Sequence, residues 1–229
     1  MLVDHAWGYE PCTIDEAKAY TPETRSISNG QVLHCPYDFD KARVIVWEML
    51  EMLSVELVEK RLVTNQIVLT IGYDIENITN PKIRSLYKGE VKTDYYGRKV
   101  PKHAHGTANI GRYTASTRLI TDAALKLYDE ITDKNLLVRR ITVAACNILP
   151  EGKVEQKNTY EQLDFFTDYS ALDAKREREE EDLRKERRIQ EAMIDIKQRY
   201  GKNAVVKGGN LQDGATSMDR NRQIGGHAE

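Results

Sequence analysis

The chain repeats itself. Lys60-Arg61-Leu62-Val63-Thr64-Asn65-Gln66-Ile67 aligns with Lys134-Asn135-Leu136-Leu137-Val138-Arg139-Arg140-Ile141 at an offset of 74 residues, and each copy reads as helix, short connection, strand. In the first copy Val44, Met49, Leu53 and Leu57, with Ile45, Trp47 and Leu50, recur at helical spacing behind Asp38, a candidate N-cap. In the second, Ile120, Ala123, Ala124, Leu127 and Ile131 do the same behind Ser116. The strands that follow alternate: Ile67, Leu69 and Ile71 point one way and Gln66, Val68 and Thr70 the other, and at the repeat offset Ile141, Val143 and Ala145 oppose Arg140, Thr142 and Ala144. Extended segments, Ser26–Cys35 and His105–Tyr113, precede the two helices. This order predicts an α+β fold, βαββαβ: a four-stranded, mainly antiparallel sheet with two helices on one face and the other face open. The open face carries small and polar residues.

Beyond the repeat the composition changes. From Ser170 to about Tyr200 the chain alternates charge, with Leu183, Ile189, Met193, Ile194 and Ile196 interspersed, which predicts a long helix supported by pairs such as Glu181–Lys185 and ended by Gly201. The stretch from 201 to 229 is rich in Gly, Asn and Asp and reads as irregular, with a short strand at Asn203–Val206. The chain therefore divides into 1–23, a compact domain at 24–150, a connecting segment at 151–169, a charged helix at 170–200 and a tail at 201–229.

Charge is distributed unevenly. The net charge is −2, from 34 Lys and Arg against 36 Asp and Glu. Residues 24–150 nevertheless hold 18 basic and 14 acidic residues, and the basic surplus gathers at 82–102, where Lys82, Arg84, Lys88, Lys92, Arg98, Lys99 and Lys102 face only Glu90 and Asp94. Such a segment suits either a phosphate-facing surface or a solvated loop. Cys12, Cys35 and Cys146 lie far apart, so neither a disulfide framework nor a zinc site is expected, and a reducing, cytoplasmic setting fits. No apolar run approaches the roughly 20 residues of a membrane span, and no membrane partner is expected.

No catalytic constellation can be assembled, so the expectation is no catalytic residue, no metal site and no cofactor. Asp74 and Glu76 after a strand read as a solvated turn before a cation site, and His103 and His105 as phosphate contacts or inert surface before metal ligands. A βαββαβ order also fits an RNA-recognition domain, but His105-Gly106-Thr107-Ala108-Asn109-Ile110-Gly111-Arg112-Tyr113 lacks the paired aromatic platforms which that domain uses. A face of Gly, Ser, Thr, Asn and Arg suits short donors laid along a phosphate chain without base reading. Past the last strand, Gln162-Leu163-Asp164-Phe165-Phe166 has the form of a docking peptide, a Gln for register and an apolar pair for a groove, or else packs back on its own domain.

These residues resemble a known family. Arg25-Ser26-Ile27-Ser28 with Gly30-Gln31-Val32-Leu33, the two βαβ halves and Gln162-Leu163-Asp164-Phe165-Phe166 are similar to the little-finger domain and tail of UmuC-like Y-family translesion DNA polymerases, the ImpB/MucB/SamB group. Trp7-Gly8-Tyr9-Glu10-Pro11 resembles the end of the thumb and its linker, and Tyr200-Gly201-Lys202-Asn203 and Arg220-Asn221-Arg222-Gln223-Ile224-Gly225-Gly226-His227 resemble the ends of bacterial members. The resemblance implies that the open face sits beside the DNA template-primer in the major groove, touching phosphates through Arg25, Ser26, Ile27 and Ser28, through His105, Gly106 and Thr107, and through Arg139 and Arg140. His105 stands where relatives often carry Arg. It also implies that Gln162, Leu163, Asp164, Phe165 and Phe166 dock on the β sliding clamp, with Phe165 in place of the usual Leu.

The family polymerises through a palm whose carboxylates hold two magnesium ions. Neither palm motif occurs here, so the expectation is a DNA-binding, clamp-docking accessory to a polymerase core, acting in DNA repair and the SOS response, and not an enzyme by itself. The alternative is a protein-interaction module that assembles through the charged helix, although its apolar residues sustain no heptad.

Overall fold

The computed structural model describes residues 7–8, 13–19, 26–154 and 169–222. A six-residue helix, α1 (Ile14–Ala19), opens on a capping box in which Thr13 and Glu16 exchange hydrogen bonds, Thr13 N–H donating to Glu16 Oε2 at 2.8 Å and Glu16 N–H to Thr13 Oγ1 at 3.2 Å. The repeat then follows as β1 (Ile27–Tyr37), α2 (Phe39–Glu59), β2 (Leu62–Tyr73), β5 (Ala104–Thr114), α5 (Thr117–Ile131) and β6 (Val138–Cys146). Between its halves lie α3 (Glu76–Thr79), α4 (Pro81–Leu86) and a hairpin of β3 (Val91–Thr93) and β4 (Lys99–Pro101). After it come the short β7 (Leu149–Pro150), the long α6 (Tyr169–Tyr200) and α7 (Ser217–Arg220).

Both expected caps form. Asp38 accepts from Lys41 N–H at 2.9 Å and Ser116 from Leu119 N–H at 3.2 Å, each satisfying an amide the first turn leaves without a helical partner. The strand alternation is also as expected. Ile67, Leu69, Ile71, Ile141, Val143 and Ala145 are fully buried, under α2 and α5, which contribute Ile45, Leu50, Leu53, Leu57, Ile120 and Tyr128 to one core. Between the helices Arg43 grips Asp129 with two hydrogen bonds of 2.9 and 3.1 Å. Tyr128, its ring 4.8 Å from Phe39, donates its hydroxyl to the Phe39 carbonyl. Burial pushes that hydroxyl's pKa far up.

The sheet order is β1-β6-β2-β5, with every pairing antiparallel. Each pairing joins one half of the repeat to the other: β6 inserts between β1 and β2, and β2 between β6 and β5. The two halves therefore interlock, and neither can close a sheet without its counterpart. Two expectations change here. The 82–102 segment is not an open loop, because it folds into α4 and the β3–β4 hairpin. No strand forms at Asn203–Val206: that stretch is a turn, followed by a 3₁₀ turn at Gly208–Leu211 and by α7.

The charged helix spans Tyr169–Tyr200, Glu181 and Lys185 pair at 3.0 Å, and Gly201 ends it with a left-handed φ of 98°. Its second half docks. Glu186 accepts from Ser116 Oγ and from Arg118 N–H at the start of α5, where the helix dipole favours a carboxylate. Buried Gln190 donates to the Ala115 carbonyl and to Thr117 Oγ1, and Met193 is buried beside it. The tail also docks: buried Glu48 of α2 accepts from the Thr216 and Ser217 amides, Gln31 donates to Thr216 Oγ1, and Lys41 pairs with Asp213 at 2.9 Å. No described helix is long and apolar enough to cross a membrane.

Candidate nucleic-acid interface

The register of the strands lays out the open face row by row. One row reads Val32, Arg140, Gly72; the next Gly30, Thr142, Thr70, His105; the next Ser28, Ala144, Val68, Thr107; and the last Cys146, Gln66, Asn109. Successive rows stand about 7 Å apart and strands about 4.8 Å apart. Two cross-strand hydrogen bonds stiffen the edge beside β5: Thr70 Oγ1 with His105 Nδ1 at 2.9 Å, and Gln66 Nε2 donating to Asn109 Oδ1 at 3.1 Å. None of these positions holds Asp or Glu, in a chain that carries 36 of them. The carboxylates of the repeat stand on the helices and loops instead, with Glu48, Glu51, Glu56 and Glu59 on α2 and Asp122, Asp129 and Glu130 on α5.

The expected contact residues fall into three groups. Ser26, Ser28, His105, Thr107 and Arg140 are exposed, and all but Ser26, which precedes β1, stand on the open face of a strand. Ile27 and Gly106 belong to the opposite rows: Ile27 stands across from buried Ala145, and a Cβ on Gly106 would come within 2.9 Å of Leu127 Cδ1 and 3.2 Å of Ile131 Cγ2. Their side-chain direction is therefore corrected: strand parity turns them toward the helices and leaves only their backbone for contacts. Arg139 is half-buried at the irregularity where β6 pairing shifts. It donates to the His34 carbonyl at 3.1 Å and lies 3.7 Å from Asp74, so its charge is committed within the fold. Arg25 and the whole Gln162–Phe166 pentapeptide lie outside the described residues.

Sequence reasoning left Gly30, Gln66, Thr70, Asn109 and Thr142 out of the contact set, although alternation from Ser28, Thr107 and Arg140 reaches Gly30, Asn109 and Thr142, and Gln66 and Thr70 stand on the polar side of their strand. Asp74 is not poised for a cation, since its Oδ1 accepts from Glu76 N–H at 2.8 Å and its Oδ2 faces Arg139. Among the described residues no group of three His, Cys, Asp or Glu could hold a metal ion.

A family model described as the impB/mucB/samB family C-terminal domain matches residues 24–165, well over half of the chain. The chain belongs to this family. It carries the C-terminal domain of this Y-family polymerase group, to which its motifs are similar. No curated protein matches it. Among solved structures, a complex of the beta-clamp processivity factor and the little finger domain of PolIV is similar at 9% identity and a TM-score of 0.35, covering 62% of this chain and all of that one. That likeness is loose enough that no residue is placed by it.

In this impB/mucB/samB domain the interlocked halves make the interface rigid, because every open-face residue sits on a strand flanked by the other half. Four strands span about 15 Å of backbone, wider than the roughly 12 Å major groove of B-form DNA.

Proposed function

We propose that the open face grips the phosphates of a DNA template-primer without reading its sequence, as part of a translesion polymerase acting in DNA repair. The observation that supports this reading is a carboxylate-free face in a domain that carries 14 acidic residues elsewhere. Serine, threonine and asparagine donors with exposed Arg140 suit phosphate oxygens, and nothing on the face repels them. With no Phe, Tyr or Trp in its rows, it lacks the paired aromatic platform on which an RNA-recognition domain stacks bases. Polymerisation itself belongs to a palm elsewhere in the family, with its two magnesium ions, and this chain contributes position rather than chemistry.

The reading is tested by duplex affinity across a salt series. Binding should fall steeply with salt and be indifferent to sequence, and Arg140→Ala should lower the magnitude of the log–log slope by about one. Salt-independent binding, or none at low salt, overturns it. We also propose that Gln162–Phe166 docks on the β sliding clamp and tethers the polymerase core there. In a pulldown on the clamp, Gln162→Ala with Phe166→Ala should abolish capture while leaving duplex binding unchanged.

A further inference from the structure

We propose that the tip of the β3–β4 hairpin is a stacking platform for unpaired bases of single-stranded DNA, next to the duplex that the sheet holds. Tyr95 and Tyr96 stand at the tip with 96% and 77% of their surface exposed, neither covered by the fold. The rings meet edge to face, centroids 5.4 Å apart, and the Arg98 guanidinium lies 5.1 Å from the centre of the Tyr96 ring. An isolated surface tyrosine needs no explanation, but two neighbours held on a stiff turn do.

The stiffness comes from Asp94. Its Oδ1 accepts from the Tyr96 and Arg98 amides at 2.9 and 2.8 Å, and its Oδ2 from Arg98 Nε at 2.8 Å. Gly97, at φ 77°, supplies the left-handed residue that closes a three-residue hairpin loop. The rings are thus presented at little further cost in conformational freedom. Around them the charge is basic. Lys102 pairs with Glu90 at 2.9 Å and Arg98 with Asp94 at 2.7 Å, while Lys99, paired with Thr93 next to the tip, and Lys88, before the base of the hairpin, have no acidic partner among the described residues. Exposed aromatics beside uncompensated lysines are what binds single strands irrespective of sequence, bases on the rings and phosphates on the cations. The hairpin runs directly into β5 at the end of the sheet where His105, Gly72 and Arg140 stand.

The proposal rests on the DNA-gripping reading only for its location, and its test separates the two. The full chain is titrated with a blunt duplex, with the same duplex bearing a single-stranded overhang, and with an overhang of equal length lacking bases. The normal overhang should bind more tightly than the baseless one by about 5- to 150-fold. Tyr95→Ala with Tyr96→Ala should erase that gain, Tyr95→Phe with Tyr96→Phe should keep it, and neither should alter blunt-duplex affinity. Equal binding to the two overhangs, or a gain that survives the alanine pair, overturns the platform and leaves the tyrosines to a protein partner. Loss of blunt-duplex binding in Arg140→Ala bears on the sheet alone, and a free single-stranded oligonucleotide still reads the hairpin if the duplex does not bind.

Discussion

The two faces of the sheet come from the same four strands and obey opposite rules. On the covered face each row is apolar across β6 and β2, as in Ile141 with Ile71 or Val143 with Leu69, and packed closely enough that a Cβ on Gly106 would come within 2.9 Å of Leu127 Cδ1 and force it to shift. On the open face side chains are short, mixed in chemistry, and united only by the exclusion of carboxylates. The covered face is selected by what it contains and the open face by what it lacks. A packing surface rejects voids and polar atoms, whereas a phosphate-facing surface chiefly rejects negative charge.

That contrast can be broken experimentally. Leu53→Ala, in the core beneath the covered face, should cost about 2–5 kcal/mol in chemical denaturation, while the folded fraction keeps its DNA salt slope. Gly106→Val should cost about 1–3 kcal/mol through overpacking against Leu127 and Ile131. It likewise should spare the slope, because position 106 faces the helices; a changed slope would assign it to the DNA side. Thr142→Glu puts a carboxylate in the middle of the open face. It should leave the melting temperature within about a degree or two, as surface changes of roughly 0.5 kcal/mol do. Duplex affinity at low salt should drop on the order of tenfold.

The smallest effect concerns the hairpin tip. Hydrogen bonding and the charge of Arg98 hold the Asp94 carboxyl below its ordinary value of 3.8. The turn's extra stability is thus fully present above that value and lost as pH falls through the lowered one. The protection of the Tyr96 and Arg98 amides against exchange, relative to their intrinsic rates, should hold down to about pH 4 and fall only below it, whereas a loss of protection near neutrality would remove Asp94 as the clasp.

Much of this was legible in the sequence because it is local. Helix caps at Asp38 and Ser116, the period-two alternation of Ile67, Leu69 and Ile71, and the charge pairs of the long helix each depend on residues within a turn or two. The errors arose where the deciding contact is distant. Asn203–Val206 has the composition of an edge strand, yet the tail is held at Thr216 and Ser217 by Glu48, 168 and 169 residues earlier, through backbone amides that leave no side-chain signature. Asn29 and Gln31 on the covered side of β1 look like breaks in the alternation. Gln31 in fact meets Thr216 of the docked tail, and Asn29 lines a cavity of about 510 Å³ shared with Glu48 and Ser217.

By itself the sequence determined the strands and helices of the repeat, which side of each of those strands is apolar, and that the outward side would be small and polar. Only the tertiary structure decided that β6 separates β1 from β2, that Arg139 is bound to Asp74 and His34 while Arg140 is exposed, and that the tail closes over α2. Alternation specifies a face and not a neighbour. Neighbours are chosen by non-local pairing, in which each half of the repeat supplies the strands that the other cannot supply for itself.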